Sequence, residues 1–569
     1  MGNLKTRMTL KTINVNLNGE TKEFLVNPSQ KLLDFLREQS LKSVKCGCKQ
    51  GDCGMCTVLI NNKPIKSCLY DVTFADGKEI LTLEGLNKNG KLHPIQKAFL
   101  ETGAIQCGFC TPAQILTTKA LLDKNPNPNR KEILFALKNV LCRCTGYVRI
   151  IDAVIRAAAY LRGEKKDPFR PIELDLPNDI GKLLIPQEFY RKNNLNLPLP
   201  PLVLTPKSMP KLNIVGRHKI KVDGEKLVQG KPVFTDDIHP EGMLYGALLT
   251  SPYAHARIER IDTSKARKLP GVHTVLTYKD IPRIKFATGG QSYPQPLPYD
   301  QVSLDNKVRH FGDRVAVVAA DTPEIANEAL RLIKVDYEIL PYVIDPEEAM
   351  KDGAPIIHDE KDTNGIFDAS HNIVHHIEVE NGNPDKVFKE ADQIIEGEFH
   401  TPRQQHAQLE PHVCITFFDE DKRLIVRSST QVPFHIRRII APLIGLPVKK
   451  IRVIKPRIGG AFGGKQEILL EDLCAHLTLA TGRPVRMQYT RSQEFTSGRT
   501  RHGQIIRYKI GVKGDQVTVM ELRLIGDTGA YGTHGLTVNM VGGFKGLTLY
   551  NPPNSRFICD VVYTNTTPA

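Results

Sequence analysis

Two groups of four cysteines near the N-terminus are the residues of this chain whose type and spacing predict chemistry most directly. The first group comprises Cys48, Cys53, Cys56 and Cys68, and the second comprises Cys107, Cys110, Cys142 and Cys144. Thiolates are soft ligands that suit zinc and iron–sulfur clusters. Two such ligand sets close together in sequence indicate two metal centres and electron transfer between them.

The first group has the order Cys-x4-Cys-x2-Cys with a fourth cysteine further along, which is the spacing of plant-type [2Fe–2S] proteins. Gly47, Gly51 and Gly54 provide the backbone freedom that a tight loop around a cluster requires. Cys46 does not fit this spacing, so we interpret it as a thiol outside the ligand set. Disulfides are typical of small secreted domains, and zinc favours well-separated short pairs, so both alternatives fit less well.

The second group consists of two short pairs, a pattern that by itself would also allow a zinc or a redox site. The residues between the pairs predict two helices. One begins at Thr111–Pro112, where proline suits the first turn, and Asn125–Asn129 interrupts it. Ile133–Leu141 then predicts a second apolar helix, and Ile151–Leu161 a last one that ends before Gly163. Two helices would bring the cysteine pairs to a common end.

The segments around these cysteines resemble the xanthine dehydrogenase / aldehyde oxidoreductase family of molybdenum hydroxylases. Gly47–Thr57 (GCKQGDCGMCT) is similar to the family's ferredoxin domain, and Gln106–Pro112 (QCGFCTP) and Cys142–Tyr147 (CRCTGY) to its helical [2Fe–2S] domain. Gly460–Lys465 (GAFGGK) extends the resemblance over nearly the whole chain. Ala113 departs from the family, which usually has glycine there.

The resemblance and the pattern of elements predict a multidomain α+β protein. The expected parts are a ferredoxin-like β-grasp over 8–83, a helical [2Fe–2S] domain over 84–163, a proline-rich linker over 164–214, an α/β hammerhead-like domain over 215–345, and the N-terminal part of a molybdopterin-binding domain over 368–569. Flavin-containing relatives have an FAD domain where this linker lies. The linker is too short for one, so we expect any flavin on another chain.

Two short patterns support this division. Thr12–Leu17 alternates like a strand, and Asn18–Gly19 after it is a hairpin turn signal. Val315–Ala320 predicts a buried strand, Thr322 caps a helix that extends to Leu332, and Lys334–Tyr337 predicts a further strand. The second pattern therefore predicts an α/β unit.

A glycine-rich segment in the last third of the chain is the second candidate site. A strand is predicted around Ile451–Ile454, followed by Gly459–Lys465 and by helical spacing over Leu469–Ala480 that stops at Gly482. A glycine-rich turn that leads into a helix directs backbone N–H groups at one point, where anions or polar cofactor atoms bind. By itself the segment could also be a simple tight turn; it lacks the Gly-Lys-Ser/Thr of a Walker A loop.

The resemblance assigns roles around this loop. It implies that the backbone N–H of Phe462 faces a molybdenum ligand and that the side chain of Gln431 approaches the same centre. It also implies that Gln106 hydrogen-bonds the pterin and that Cys144 lies at the cluster edge nearest the pterin. The remaining cofactor-binding residues that it implies are Gly460, Ala461 and Gly463.

Gln466 is the expected substrate contact, because xanthine-oxidising relatives often have a purine-contacting glutamate at this position. Glutamine keeps the length and an acceptor but loses the charge, which a purine could still satisfy. We interpret His406 and His412 as hydrogen-bonded packing residues, since Pro411 disfavours a continuous helix through them. We do not assign Glu410 as the catalytic base.

The resemblance implies hydroxylation of a purine or other N-heterocycle with water as the oxygen source, and electron flow through two [2Fe–2S] clusters. The expected cofactors are those clusters and molybdenum–molybdopterin, with the pterin alone or as a dinucleotide. The expected partners are a small-molecule substrate, a separate FAD subunit or other electron acceptor, and a second copy in a homodimer. The alternatives are an aldehyde oxidoreductase of this family and a non-catalytic electron-transfer subunit.

The position of Ala569 bears on catalysis, because relatives place a substrate-binding arginine and the general-base glutamate further along. We therefore expect this chain to contain no catalytic residue of its own and to be inactive alone, with those residues on a continuation or a second polypeptide.

Composition excludes other classes of protein. The net charge is +15, but the lysines are dispersed and no nucleic-acid-binding motif accompanies them, so no nucleic-acid partner is expected. No apolar run approaches the roughly 20 residues of a membrane span, and no signal peptide is evident. Numerous reduced cysteines favour the cytoplasm.

Overall fold

The computed structural model describes residues 10–87, 90–164, 219–289 and 292–569. The predicted linker over 164–214 lies, apart from its first residue, outside these ranges. The chain divides into two compact units, Met1–Lys45 with Gly54–Lys231, and Cys46–Cys53 with Pro232–Ala569. Within the described ranges, no helix combines the length and the apolar character that crossing a membrane requires.

The first unit contains a mixed five-stranded sheet in the order β2-β1-β5-β3-β4. The strands are β1 (Lys11–Leu17), β2 (Glu20–Val26), β3 (Thr57–Ile60), β4 (Lys63–Lys66) and β5 (Glu79–Leu81). As predicted, β1 turns into β2 at Asn18–Gly19, where both residues have positive φ. Ile13 and Val15 alternate on the buried face of β1. This sheet is the predicted β-grasp, since β1 pairs in parallel with β5 and antiparallel with β2.

The described part of the first unit also contains helices. Its helices are Leu32–Glu38, Pro94–Glu101, Thr111–Lys124, Arg130–Leu137, Val148–Leu161 and Gly224–Val228. The helix that begins at Arg130 is capped by Asn129, whose side chain accepts a hydrogen bond from the backbone of Glu132. It ends at Leu137, earlier than its apolar pattern predicts, and the Val140 amide then donates to the Leu137 carbonyl at 3.0 Å in a tighter turn. The Val140 carbonyl accepts a 2.7 Å hydrogen bond from the Gln114 side chain.

The second unit contains most of the sheet structure. Its strands are β6 (Leu244–Thr250), β7 (Ala256–Asp262), β8 (Val272–Thr277), β9 (Lys307–Val308), β10 (Arg314–Ala320), β11 (Lys334–Ile339), β12 (Ile373–Asn381), β13 (Gln393–Thr401), β14 (Gln404–Gln405), β15 (Val413–Phe418), β16 (Leu424–Ser428), β17 (Ile451–Ile454), β18 (Val485–Gln488), β19 (Thr500–Arg501), β20 (Gly503–Lys513), β21 (Gln516–Gly529) and β22 (Asn554–Tyr563). They form a seven-stranded sheet (β17-β16-β15-β18-β6-β10-β8), a five-stranded sheet (β12-β22-β21-β20-β13), a three-stranded sheet (β11-β7-β9) and the pair β14-β19.

Helices cover these sheets in the second unit. They are Ser264–Arg267, Pro323–Leu332, Pro346–Ala349, Pro384–Lys389, Pro433–Leu443, Glu471–Thr481, Arg491–Thr496 and Gly535–Thr548. A large buried cluster packs the seven-stranded sheet against two of them, and it includes Val426 from β16, Ile436 from Pro433–Leu443 and Leu473 from Glu471–Thr481. This packing fixes both ends of the glycine-rich segment, because β17 precedes it and Glu471–Thr481 follows it.

The predicted strand–helix–strand unit is present but divided between sheets. Thr322 caps the helix Pro323–Leu332 by accepting a hydrogen bond from the Ile325 amide at 3.2 Å. The strand before it, β10, belongs to the seven-stranded sheet, and the strand after it, β11, pairs antiparallel with β7 in the three-stranded sheet. The two strands therefore do not pair in one sheet.

Replacement of Gly54 by alanine should destabilise the first unit more than an ordinary glycine-to-alanine change. Gly54 has φ +74°, and a Cβ there would lie 2.0 Å from the Asn139 carbonyl oxygen. Gly77 has a similar φ of +68° with nothing within 4 Å, so G77A measures the backbone cost alone, about 1 kcal/mol. We expect G54A to lower the thermal unfolding midpoint well below that of G77A. Equal midpoints would contradict the close approach.

Candidate iron–sulfur and molybdopterin sites

The second cysteine group is brought together within the first unit. Cys110 precedes the helix Thr111–Lys124, and its thiol contacts that of Cys142. Cys144 contacts both Cys142 and Cys107, so the four sulfurs form one connected group. The Cys110 thiol lowers the pKa of Cys142, and Cys144 lowers it further. Thr145 Oγ1 lies 3.2 Å from Cys142 Sγ. Four cysteines and no other metal ligand make up this group, a donor set that fits a [2Fe–2S] cluster.

The first cysteine group lies on two segments. Cys48 Sγ accepts hydrogen bonds from the Gln50 and Cys53 amides at 3.4 and 3.5 Å, and the Cys53 thiol contributes most to lowering the pKa of Cys48 to about 5. Cys56 precedes β3 and Cys68 follows β4, at the same end of one hairpin. These features favour thiolates at a tight loop, which is the chemistry that an iron–sulfur cluster requires.

Two further observations concern these ligand sets. Cys46 is buried beside Cys48 in sequence, and none of the chain's twelve cysteines forms a disulfide. Among the described residues, no three or more His, Cys, Asp or Glu side chains converge on one point as the ligands of a single metal ion do. The contacts of Cys110, Cys142, Cys144 and Cys107 therefore form a chain and not a site for a single ion. Each [2Fe–2S] cluster, when bound, would transfer one electron at a time.

The glycine-rich loop has a sharply turned backbone. Gly460, Phe462 and Gly463 have φ of +95°, +55° and +101°, and the Gly464 amide donates to the Ala461 carbonyl at 2.9 Å. The backbone N–H groups of residues 460–463 make no hydrogen bond within the described part of the chain. A Cβ on Gly464 would approach the His406 ring to 3.0 Å. Free amides on a closely packed turn fit the polar atoms of a bound cofactor.

The helix after this loop begins later than the sequence pattern predicts. It starts at Glu471, whose side chain accepts hydrogen bonds from the Leu469 and Leu470 amides at 2.9 and 3.1 Å. These residues therefore lie before the helix, and the residues 464–470 separate it from the loop amides. The loop provides donors by its own turn, not as the N-terminus of that helix. Gly482 ends the helix with φ +66°, as predicted.

A buried ion pair holds the base of the loop. Lys465 Nζ donates to Glu410 Oε2 at 2.9 Å, and the Gly459 amide donates to the same oxygen at 2.7 Å. Both side chains are at most 1% exposed. Burial raises the pKa of Glu410, and the charge of Lys465 opposes this rise. Glu410 thus closes the loop at both ends, which is a structural role.

The other predicted site residues have distinct surroundings. The side-chain oxygen Oε1 of Gln431 accepts a hydrogen bond from the Lys465 backbone amide at 3.3 Å. The backbone amide of Gln431 donates to the Lys465 carbonyl at 2.8 Å. Gln431 and Gln466 are both half-buried next to Lys465, so the structure brings these two together with the loop. Gln106 is exposed and Cys144 partly exposed in the first unit, and their predicted contacts with the pterin stay predictions.

The two predicted packing histidines support the loop. A ring nitrogen of His406 lies 3.1 Å from the Arg499 carbonyl oxygen. His412 donates from Nε2 to the Gly464 carbonyl at 2.8 Å, and its Nδ1 lies 3.0 Å from the Glu494 carboxylate. Both histidines are buried, and their packing role is confirmed.

Sequence reasoning missed three residues around the loop. Glu467 is buried directly after Gln466, and it is paired with Arg499 and with His534 Nδ1, the latter at 2.8 Å. Burial raises the pKa of Glu467, but Arg499 and His534 more than offset this and leave it at about 2. Arg499 and His534 lie far along the chain from Glu467, so only its adjacency to Gln466 could have drawn attention to this group.

Comparison with known families accounts for most of the chain. Residues 15–82 match the 2Fe–2S iron–sulfur cluster binding domain, and residues 82–155 the [2Fe–2S] binding domain. Residues 229–341 match the aldehyde oxidase and xanthine dehydrogenase a/b hammerhead domain, and residues 366–569 the molybdopterin cofactor-binding domain. Fold and site thus define an iron–sulfur and molybdopterin protein.

Individual relatives support the same assignment. The probable hypoxanthine oxidase XdhD of Escherichia coli is 35% identical over 98% of this chain and 58% of its own length. Two subunits of nicotinate dehydrogenase from Eubacterium barkeri match separate parts: the small FeS subunit is 53% identical, with 25% of this chain and 92% of the subunit covered, and the large molybdopterin subunit is 35% identical, with 62% and 79% covered.

The solved aldehyde oxidoreductase of Desulfovibrio gigas superposes with a TM-score of 0.83 at 30% identity, over 98% of this chain and 58% of that one. The chain therefore belongs to the xanthine dehydrogenase / aldehyde oxidoreductase family of molybdenum hydroxylases. It spans little more than half the length of XdhD and of the D. gigas enzyme.

Single cysteine-to-serine variants should separate the two clusters. We expect C53S and C110S each to lose one of two [2Fe–2S] signals in electron paramagnetic resonance spectra of the reduced protein. Iron should fall from about four to about two atoms per chain in each variant. C46S is the matched control and should retain both signals. Loss of a signal in C46S, or two intact signals in C110S, would contradict the ligand assignment.

Replacement of Lys465 by methionine should destabilise the second unit strongly, because it leaves the Glu410 carboxylate buried without its cation. Breaking a buried pair in this way costs about 3–5 kcal/mol of unfolding free energy. K449M makes the same change at an exposed lysine and should cost less than about 0.5 kcal/mol. Denaturant unfolding of the cofactor-free protein measures the difference. Similar stabilities of the two variants would show that the pair does not hold the loop.

Proposed function

We propose that the holoenzyme containing this chain hydroxylates a purine or another N-heterocycle. The observation that carries the proposal is the position of Gln466. It is half-buried and directly follows Lys465, and the backbone amide of Lys465 donates a hydrogen bond to the Gln431 side chain. An amide at this point offers both a donor and an acceptor to a heterocyclic ring. The name of the relative XdhD, a probable hypoxanthine oxidase, supports the same substrate class.

The chain's residues would divide the work between cofactor binding and substrate binding. The free amides of Gly460, Ala461, Phe462 and Gly463, with the side chain of Gln431, would hold polar atoms of the molybdopterin. Gln106 would hydrogen-bond the pterin, and Cys144 would lie at the cluster edge nearest the pterin. The molybdenum cofactor, when bound, supplies hydroxylation with water as the oxygen source and accepts two electrons. Gln466 would orient the substrate ring beside it.

Electrons would leave through the cluster held by Cys107, Cys110, Cys142 and Cys144 and then through the cluster held by Cys48, Cys53, Cys56 and Cys68. We propose a separate FAD subunit or another acceptor as the next electron carrier. We also propose a cytoplasmic location, because the cysteines of this chain are all free thiols. The domain boundaries that we propose are 8–83 for the ferredoxin-like domain, 84–163 for the helical cluster domain, 215–345 for the hammerhead-like domain and 368–569 for the molybdopterin-binding domain.

An aldehyde oxidoreductase is the second candidate function. It is favoured by the D. gigas structure, which is named for that activity and superposes over nearly the whole chain. A side chain at position 466 that lacks hydrogen-bonding groups would suit a simple aldehyde better than glutamine does, so we place this candidate second.

Turnover of paired substrates tests the proposal. We expect the holoenzyme to contain molybdenum and iron and to reduce a dye with hypoxanthine or xanthine at a kcat/KM about tenfold or more above that for benzaldehyde. Q466L should lower the purine kcat/KM about tenfold by removing a hydrogen bond, whereas Q516L, at an exposed glutamine, should not. Turnover of benzaldehyde alone would favour the second candidate. Iron without molybdenum would indicate an electron carrier.

A further inference from the structure

Glu467 connects the predicted substrate contact to a distant histidine. It directly follows Gln466 and is 4% exposed. Arg499 Nε donates to one carboxylate oxygen and His534 Nδ1 to the other, the second at 2.8 Å. Each oxygen of the buried carboxylate therefore has a partner within the protein.

The same hydrogen bond sets the tautomer of the His534 ring in its neutral form. A neutral imidazole that donates from Nδ1 to a carboxylate has its unprotonated nitrogen at Nε2, so Nε2 is an acceptor. This Nε2 has no hydrogen-bond partner among the residues that the structure describes. A buried acceptor without a partner is unfavourable, so its retention calls for an explanation such as a ligand donor.

The backbone that carries His534 is held tightly. Thr533 has φ +43°, a left-handed conformation that is unusual for a β-branched residue. Gly289 packs so closely that a Cβ there would lie 1.6 Å from the Thr533 carbonyl oxygen. Such enforced conformations cluster at ligand-binding positions. The His534 side chain is 14% exposed, so its ring lies at the edge of the packed interior.

Two further histidines, His435 and His502, interact electrostatically with His534. Burial lowers the pKa of His435 and lowers that of His502 to about 3, so both rings are neutral near pH 7. His435 Nδ1 and His502 Nε2 also have no hydrogen-bond partner within the described ranges. Unpartnered nitrogens on neutral imidazole rings match a ligand that carries ring N–H and ring N groups.

We propose that His534 Nε2 accepts a hydrogen bond from a ring N–H of the substrate, and that Glu467 is a positioning residue that fixes the tautomer required for this contact. This inference rests on the proposed function and makes its substrate class narrower: heterocycles that carry an N–H donor. An aldehyde has no such donor and would leave Nε2 unsatisfied, which a site built for hydrogen bonding disfavours.

Equilibrium binding of hypoxanthine to the dithionite-reduced holoenzyme tests this without turnover. We expect H534F, which keeps a ring but removes the acceptor, to raise the dissociation constant about tenfold or more. H534Q, which keeps an acceptor, should recover part of the affinity, and E467Q should weaken binding by releasing the tautomer. H400F is the matched control, because His400 forms an exposed pair with Glu398 at 2.7 Å. Iron and molybdenum contents should equal those of the wild type.

The possible outcomes separate this inference from the proposed function. Equal affinity of H534F and wild type, no recovery in H534Q, or loss of metal together with affinity would overturn the role of His534. Absence of hypoxanthine binding in the wild type would overturn it as well. If the wild type binds hypoxanthine but does not hydroxylate it, the proposed function fails, and the comparison of H534F with wild type still decides the contact.

Discussion

The glycine-rich loop depends on one buried contact, the pair between Lys465 and Glu410. The Glu410 carboxylate accepts hydrogen bonds from the Lys465 ammonium group at the end of the loop and from the Gly459 amide at its start. A single side chain therefore sets the distance between the two ends of the loop. A turn with positive φ at three of its four residues 460–463 would otherwise have many alternatives of similar energy. A charge removed from water strongly requires its partner, so this ion pair favours the closed form of the loop.

Two further buried carboxylates extend this arrangement. Glu494 binds His412, which in turn binds the Gly464 carbonyl, and Glu467 binds Arg499 and His534. The loop thus rests on charge-assisted hydrogen bonds from several parts of the second unit, while its own amides at 460–463 stay free. Directional contacts of this kind fix positions more finely than apolar packing does. A cofactor and a ring-shaped substrate both need that precision.

The sequence was most informative where spacing along the chain determines the chemistry. Cysteine spacing and the glycine-rich motif predicted the cluster domains, the molybdopterin-binding region and the family, because these ligands lie close together in sequence. It was least informative for pairs formed by the fold, such as Glu467 with His534, since nothing local marks a buried ion pair. Local patterns also missed the sheet assignment of β10 and β11 and the start of the helix at Glu471, both of which depend on tertiary contacts.

The close approach of Gly54 to Asn139 has a consequence for protein engineering. The two cluster-binding segments match separate families and look exchangeable, yet one turn of the first is shaped to the backbone just before Cys142 in the second. A ferredoxin-like module grafted from a relative would need glycine at this position and a matching surface opposite it. Recombination between homologues should therefore succeed when the crossover lies after the second, helical cluster-binding segment. It should fail when the crossover lies between the first and the second cluster-binding segments.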